Sequence, residues 1–151
     1  MELMAERLES LKAGIIGGLS LILAFLITSL VNNLMLGQYF PLLIMDKSNL
    51  VNLHFLLSGL IAGFSGFLFG VTYRYIIRVD TNPQLKSGGV FAFGLVRGLT
   101  QIEVGWGSGT ILPFLVLAGE SILWFALAAI VLDMTIKIGW LKPFLSIDTK
   151  L

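Results

Sequence analysis

Long apolar runs separated by short polar segments dominate the chain. A helix that crosses the hydrocarbon core of a bilayer needs about 20 consecutive, largely apolar residues, and several runs in this sequence reach that length. The pattern predicts helices at about 13–33, 54–77 and 110–136, with a weaker fourth at about 87–104 that contains Arg97. We therefore predict an all-α, polytopic membrane protein with four transmembrane helices, arranged as two helical hairpins in a single membrane domain over residues 1–151.

The composition supports a lipid environment. Hydrophobic residues make up 56% of the 151 residues and charged residues 13%, whereas about a quarter of the residues in soluble domains are charged. A soluble fold with so few charges would not cover its surface with polar groups, so the apolar excess is expected to face lipid. The first apolar run is too long for a signal peptide, and we expect it to be retained as a helix. The weaker run at 87–104 holds a cation, so a re-entrant segment is the alternative to a full crossing.

The distribution of Lys and Arg predicts the orientation. Cationic side chains in short loops remain on the cytoplasmic side of a membrane. Of the ten Lys and Arg residues, all but Lys47 and the intramembrane Arg97 fall on one side of the four predicted helices. This places both termini, the loop 78–86 and the tail 137–151 in the cytoplasm. The residues on that side are Arg7, Lys12, Arg74, Arg78, Lys86, Lys137, Lys142 and Lys150.

Three of these cations, Arg74, Arg78 and Lys86, surround the loop between the second and third predicted helices. Each cation near an anionic membrane surface contributes about 1 kcal/mol of attraction. The loop is therefore a candidate docking site for anionic lipid head groups or for a soluble partner. The alternative is that these residues only set the orientation of the chain.

A stripe of small residues runs along the second predicted helix. Gly59, Gly63, Gly66 and Gly70 are spaced by four, three and four residues, which places them on one helical face. Lipid tails are as apolar as leucine, so membrane helices associate through close contacts at such small residues. The stripe is predicted either to pack against another helix of the chain or to form a groove for a partner helix or a flat ligand.

Two charged residues are predicted to lie deep in the membrane. Counting 1.5 Å per residue from each helix start places Arg97 and Glu120 both about 15 Å deep, on antiparallel neighbouring helices. Because an unpaired charge at this depth costs about 2.5–3.5 kcal/mol, we predict an intramembrane ion pair. Three roles fit such a pair: a static pin for helix register, a proton or ion relay, and ligation of a chlorophyll magnesium by Glu120. Glu103 and His54 are candidates for a second polar pair near the far interface.

The sequence holds little that is typical of an enzyme. It has no cysteine and one histidine, His54, so neither a catalytic residue nor a metal site is predicted. The segment 105–109 reads Gly-Trp-Gly-Ser-Gly, which lacks the lysine and the strand–helix context of a phosphate-binding loop, and we interpret it as a turn. The net charge of +1 gives no electrostatic reason to expect nucleic-acid binding.

One region resembles a known family. It comprises Tyr73-Arg74-Tyr75, the segment Arg-Val-Asp-Thr-Asn-Pro-Gln-Leu-Lys-Ser-Gly at 78–88, and Ala-Phe-Gly-Leu-Val-Arg-Gly-Leu at 92–99. Over about residues 54–100 this is similar to a family of small uncharacterised multi-pass membrane proteins of cyanobacteria and plant chloroplasts. The resemblance implies a thylakoid or plasma membrane setting with a cytoplasmic, or stromal, basic loop. It implies no activity.

These observations favour a non-enzymatic accessory or assembly component that packs against other membrane subunits or against itself. The first alternative is a small oligomeric transporter or channel that uses Arg97, Glu103 and Glu120. The second is a pigment-binding helper in which the Arg97–Glu120 pair holds chlorophyll, with carotenoid as another candidate cofactor. Membrane lipid is an expected partner in all three cases, and the sequence requires no cofactor.

Overall fold

The computed structural model of the chain contains four long α-helices. The structure describes residues 2–36, 38–39, 53–77, 82–107 and 109–144, and no strand occurs in these ranges. The helices are α1 (Glu2–Val31), which continues into a π-helical turn (Asn32–Leu36), α2 (Leu53–Ile77), α3 (Pro83–Gly105) and α4 (Leu112–Lys137). The prediction of an all-α chain is confirmed.

Three helical segments are long and apolar enough to cross a membrane, namely Leu3–Met35, α2 and α4. The helix α3 has 23 residues but does not reach the same apolar content, since Lys86, Arg97 and Glu103 lie within it. By length and composition, three of the four described helices qualify as membrane-spanning, rather than all four as predicted, and this supports a multi-pass membrane protein.

The start of α3 follows from the local sequence. Asn82 is the N-cap, and its side-chain oxygen accepts a hydrogen bond of 3.0 Å from the backbone N–H two residues on. Pro83 takes one of the first helical positions, where a backbone N–H would have no helical partner. The prediction of a loop over 78–86 is corrected accordingly, because the helix has already begun before Lys86. Arg78 lies outside the described residues.

The glycine stripe of α2 faces α1. A Cβ atom on Gly66 would lie 2.5 Å from the carbonyl oxygen of Gly17, and one on Gly63 would lie 2.8 Å from Cδ1 of Ile22. The two other glycines of the stripe, Gly59 and Gly70, lie against Phe25 and Ala13 of α1. At Gly66 and Gly70, where the neighbouring atoms of α1 are backbone, a larger residue would force these helices apart. The stripe is therefore occupied by a helix of the same chain and does not form the open groove considered as the alternative.

The four helices form two hairpins. The most extensive contacts join α1 to α2 and α3 to α4, while α1 and α4 share a smaller contact and α2 touches α3 only sparsely. Aromatic rings pack where the hairpins meet: the centre of the Phe69 ring lies 5.4 Å from that of Phe93 and 5.1 Å from that of Phe125, edge to face in both cases. Apart from these rings, the seam between α2 and α3 is packed more sparsely than the two hairpins and than the contact between α1 and α4.

Large apolar side chains cover the outside of the bundle, as expected for a surface that faces lipid. Trp106 follows α3 and is 73% exposed, and Trp140 follows α4 and is 72% exposed. The two indoles are separated by the length of α4, about 39 Å. Exposed tryptophans at both ends of a helix bundle are typical of the two interfaces of a membrane.

Candidate functional site

A cleft of about 540 Å³ lies between α2 and α3. Sites for small molecules have volumes of about 300–1,000 Å³, so the cleft is large enough for a ligand. Its polar lining comes from Ser58 and Ser65 of α2 and from Arg97, Thr100 and Gln101 of α3. Apolar side chains, among them Leu68, Phe93 and Phe125, form the remainder of the lining.

Arg97 is the one charged residue among those that line the cleft. Its guanidinium carbon lies 5.0 Å from the centre of the Trp124 ring of α4, within the range of a cation–π interaction. Its Nε atom is buried and has no hydrogen-bond partner in the part of the chain that the structure describes. Because buried donors are nearly always satisfied, this N–H is a group that a ligand in the cleft would complete.

The structure does not bring Arg97 and Glu120 into the predicted ion pair. Within the described ranges, the ion pairs are Lys12–Glu9, Arg74–Glu6 and Lys86–Asp133. Glu120 instead lies beside the side chain of Asn32, which follows α1, and this amide favours the carboxylate. The helix α4 contacts both α1 and α3, and Glu120 faces the first of these while Arg97 lies on the second.

The packing of α3 on α4 nevertheless places the two residues at the same level along the helices. A Cβ atom on Gly94 would meet Ile122, and one on Gly98 would meet Ala118. This antiparallel register places Arg97 level with the turn of α4 that contains Glu120. Counting residues thus predicts the relative level of Arg97 and Glu120 along the two helices. Counting residues does not predict which face of α4 carries Glu120 toward a neighbour. That face depends on the rotation of 100° per residue and on which helix packs there.

Glu103 and His54, the second predicted pair, are both exposed. They are not among the ion pairs that join described residues. Glu103 lies on α3 two residues before the helix ends, and His54 is the second residue of α2. Each is therefore placed near a helix end, where water at a membrane interface can solvate it.

A second polar site lies at the opposite end of the bundle, around Arg74. This side chain is 1% exposed. Its Nε donates a hydrogen bond of 2.9 Å to the carbonyl oxygen of Lys142, one Nη donates to Ser10 Oγ at 2.6 Å, and the other pairs with the Glu6 carboxylate. The ring of Phe144 covers it, with 5.7 Å from the guanidinium carbon to the ring centre. The arginine thus joins α1, α2 and the segment after α4.

The neighbouring cation, Lys86, is also engaged. Its Nζ lies 2.9 and 3.0 Å from the two carboxylate oxygens of Asp133, which also accepts a hydrogen bond of 3.2 Å from the Tyr73 hydroxyl. This contact ties the first turn of α3 to the last turns of α4 and to α2.

These contacts correct the prediction that Arg74 and Lys86 form a free basic docking loop. Both belong to helices, and each is paired with a carboxylate inside the bundle. Sequence reasoning missed the Arg74 site because its partner Glu6 is 68 positions away. The available signal was the spacing of Glu6 and Ser10, which lie four residues apart and so share one face of α1.

Comparisons with protein-family models, with curated proteins and with solved structures find no match to this chain. A functional assignment therefore depends on the geometry of the two polar sites and on the surface of the bundle.

Proposed function

We propose that this chain is an integral membrane protein with four transmembrane helices, and that it acts without enzymatic chemistry as an accessory or assembly component beside other membrane subunits. The apolar helices and the exposed apolar surface support the membrane setting. The fourth crossing, the orientation and the accessory role need separate arguments.

The packing of α3 on α4 supports a fourth crossing. The two helices touch at three levels, where Gly94 meets Ile122, Gly98 meets Ala118 and Gly105 meets Phe114. These contacts extend over more than half of α3. If α4 crosses the membrane, α3 lies at the same depth over this length. At 23 residues it is about 34 Å long, enough for a hydrocarbon core of about 30 Å.

The position of the Arg74 site supports an even number of crossings. Glu6 and Ser10 of α1 meet Lys142, which follows α4, through one arginine. The first and last described segments therefore lie at the same end of the bundle. The excess of Lys and Arg at this end favours the cytoplasmic side, or the stromal side in the thylakoid setting implied by the family resemblance.

The different surroundings of the three membrane-level charges carry the accessory role. Arg97 lines the cleft between α2 and α3, Glu120 faces Asn32 of α1, and Glu103 is exposed near the end of α3. A relay or a transport path would need these groups along one passage. Pigment ligation by Glu120 would require charge balance from Arg97, and no ion pair joins these two described side chains. The geometry thus favours a role in packing over transport or pigment binding.

Topology is tested with single cysteines, because the native sequence has none. Gln84 and Gly107 are both exposed and lie at opposite ends of α3, and a Cβ on Gly107 meets nothing within 4 Å. In intact cells, a membrane-impermeant maleimide should label Gly107→Cys directly and Gln84→Cys only after permeabilisation. Labelling of both positions from the same side would overturn the four-helix topology.

The accessory role is tested by cross-linking in native membranes followed by isolation in mild detergent. Specific membrane subunits should be recovered with the native chain. Proton and ion flux are measured in parallel on the purified protein in liposomes. A flux that depends on Glu120 in a correctly folded protein would replace the accessory role by the transporter alternative.

A further inference from the structure

We propose that the cleft between α2 and α3 binds an anionic amphiphile, whose carboxylate or phosphate head is held by Arg97 and whose apolar chain lies along the remaining wall. This proposal depends on the membrane setting but not on the accessory role. It is therefore tested separately from the function proposed above.

The charge of Arg97 indicates an anionic head group. Its guanidinium touches the Trp124 ring, yet its Nε–H has no partner in the described part of the chain, and no described carboxylate forms an ion pair with it. A cation at membrane depth is costly unless it is paired. A carboxylate or phosphate oxygen entering the cleft would supply both the missing acceptor and the missing charge.

Two of the three hydroxyl groups that line the cleft donate to their own helices, and no hydroxyl of the described residues accepts a hydrogen bond from Arg97 Nε. Ser65 donates to the carbonyl oxygen of Ile61 at 2.7 Å, and Thr100 donates to that of Val96 at 2.8 Å. Both hydroxyls are thus directed to their own helices, as is usual for Ser and Thr in apolar surroundings. The strong donors facing a ligand are the guanidinium of Arg97 and the amide of Gln101, and this combination selects acceptor-rich anions.

The arrangement of polar and apolar lining fits an amphiphile rather than a free ion. Thr100 and Gln101 follow Arg97 toward the end of α3, whereas Phe93 precedes it toward the middle of the bundle. On the antiparallel α2, Leu68 lies toward the middle in the same way. Arg97 is about 12 Å from the end of α3. An amphiphile that enters the cleft from this end would place its head at Arg97, below the membrane interface, and extend its chain toward the aromatic cluster.

Trp124 provides a direct reporter, since its ring touches the guanidinium of Arg97. The test uses the full chain in neutral detergent with Trp106→Phe and Trp140→Phe, which removes the two exposed indoles and leaves Trp124 as the only tryptophan. Small amounts of three probes are titrated: dibrominated stearate, its methyl ester, and a phosphatidylglycerol with a dibrominated chain. Bromine quenches indole fluorescence only at short range.

Saturable quenching by stearate, by phosphatidylglycerol or by both is the expected result, with the neutral ester quenching weakly and without saturation. Saturation by the phospholipid alone would identify the head as a phosphate of membrane lipid, and saturation by stearate would identify a carboxylate. Arg97→Gln should weaken binding by about tenfold or more, because a hydrogen bond to a charged group is lost. Arg97→Lys keeps the charge but removes the Nε–H donor, so it should recover only part of the binding.

Two further variants guard against misfolding as an explanation. Ala92→Phe fills the cleft while leaving Arg97 in place and should abolish saturation, whereas Arg7→Gln removes a cation from an exposed position of α1 and should have no effect. Equal quenching by the ester and the acid, unchanged binding in Arg97→Gln, or no saturation in the native cleft would each overturn the proposal. The last result would also be obtained if a partner helix or a second copy of the chain filled the cleft.

Discussion

Arg74 Nε and the carbonyl oxygen of Lys142 are 2.9 Å apart, although 68 residues separate them in the chain. The same guanidinium holds α1 through Glu6 and Ser10. A single buried side chain therefore joins three segments at one end of the bundle. Its planar fork suits this position, because five N–H donors point in fixed directions and serve several acceptors at once.

The first prediction is that Arg74→Gln lowers the free energy of unfolding by about 3 kcal/mol, since removing one partner of a buried ion pair costs about 3–5 kcal/mol and Glu6 retains some access to water. Arg74→Lys should recover only part of this loss, because an ammonium group does not reproduce the fork. Arg7→Gln, at an exposed position of α1, is the control with the same change of charge. Denaturant-induced unfolding in mixed micelles measures all three, and equal stability of Arg74→Gln and Arg7→Gln would contradict the role assigned to Arg74.

The second prediction concerns the contact between α1 and α2. In Gly66→Ala the new Cβ would lie 2.5 Å from the carbonyl oxygen of Gly17, so the helices must separate, and we expect a loss of about 1–3 kcal/mol. Gly88→Ala on α3 is the matched control, because its Cβ meets nothing within 4 Å. The control should be neutral or stabilising by about 0.5–1 kcal/mol, the advantage of Ala over Gly in a helix. Thermal unfolding in detergent compares the two variants, and a similar shift in both would rule out close packing as the cause.

The third prediction is a coupling between Lys86 and Asp133. Their side chains are 29% and 26% exposed, so we expect a coupling energy of about 0.5–1 kcal/mol, at the level of pairs near a surface. A double-mutant cycle with Lys86→Gln and Asp133→Asn measures it. Exchanging the charges in Lys86→Asp with Asp133→Lys should restore part of the stability.

Tyr73→Phe removes the hydrogen bond to Asp133 but leaves the ion pair, so a cycle in that background should give a similar coupling. Zero coupling would show that the two charges act independently.

The parts of the fold that depend on spacing along the chain were predictable. The apolar runs gave the helices, and the level shared by Arg97 and Glu120 followed from the rise per residue and the length of the connecting turn. The limits of α3 were less well predicted, because the pattern places Asn82 and Pro83 in the loop 78–86 although they form the start of a helix.

The contacts that depend on rotation and on distant segments were not predictable in the same way. Glu120 has neighbours on two sides, and nothing in its local sequence indicates that Asn32 of the π-helical turn is the one it meets. Arg74 follows the positive-inside pattern whether it faces solvent or the bundle. The cleft at Arg97 arises from the sparse contact between α2 and α3, which is a property of how two hairpins meet and not of either one alone.

The fourth prediction separates a packing role of Glu120 from a transport role. Glu120→Gln keeps an oxygen that can accept a hydrogen bond from Asn32 and removes a carboxylate from membrane depth, where charge is costly. We expect the free energy of unfolding to stay the same or to rise. Asn32→Leu should lower it by about 1–3 kcal/mol, because it removes the polar side chain beside Glu120.

Unfolding in mixed micelles measures both variants, and a pH-sensitive dye inside liposomes measures proton flux for the same preparations. Glu120→Gln should leave the proton flux of the native protein unchanged. Glu120 faces α1, whereas Arg97 lines the cleft between α2 and α3, so the two groups do not share one passage. A stable Glu120→Gln protein that has lost a measurable flux would mean that this carboxylate moves protons. If Glu120→Gln strongly lowered the free energy of unfolding while Asn32→Leu left it unchanged, the carboxylate would depend on a partner other than Asn32.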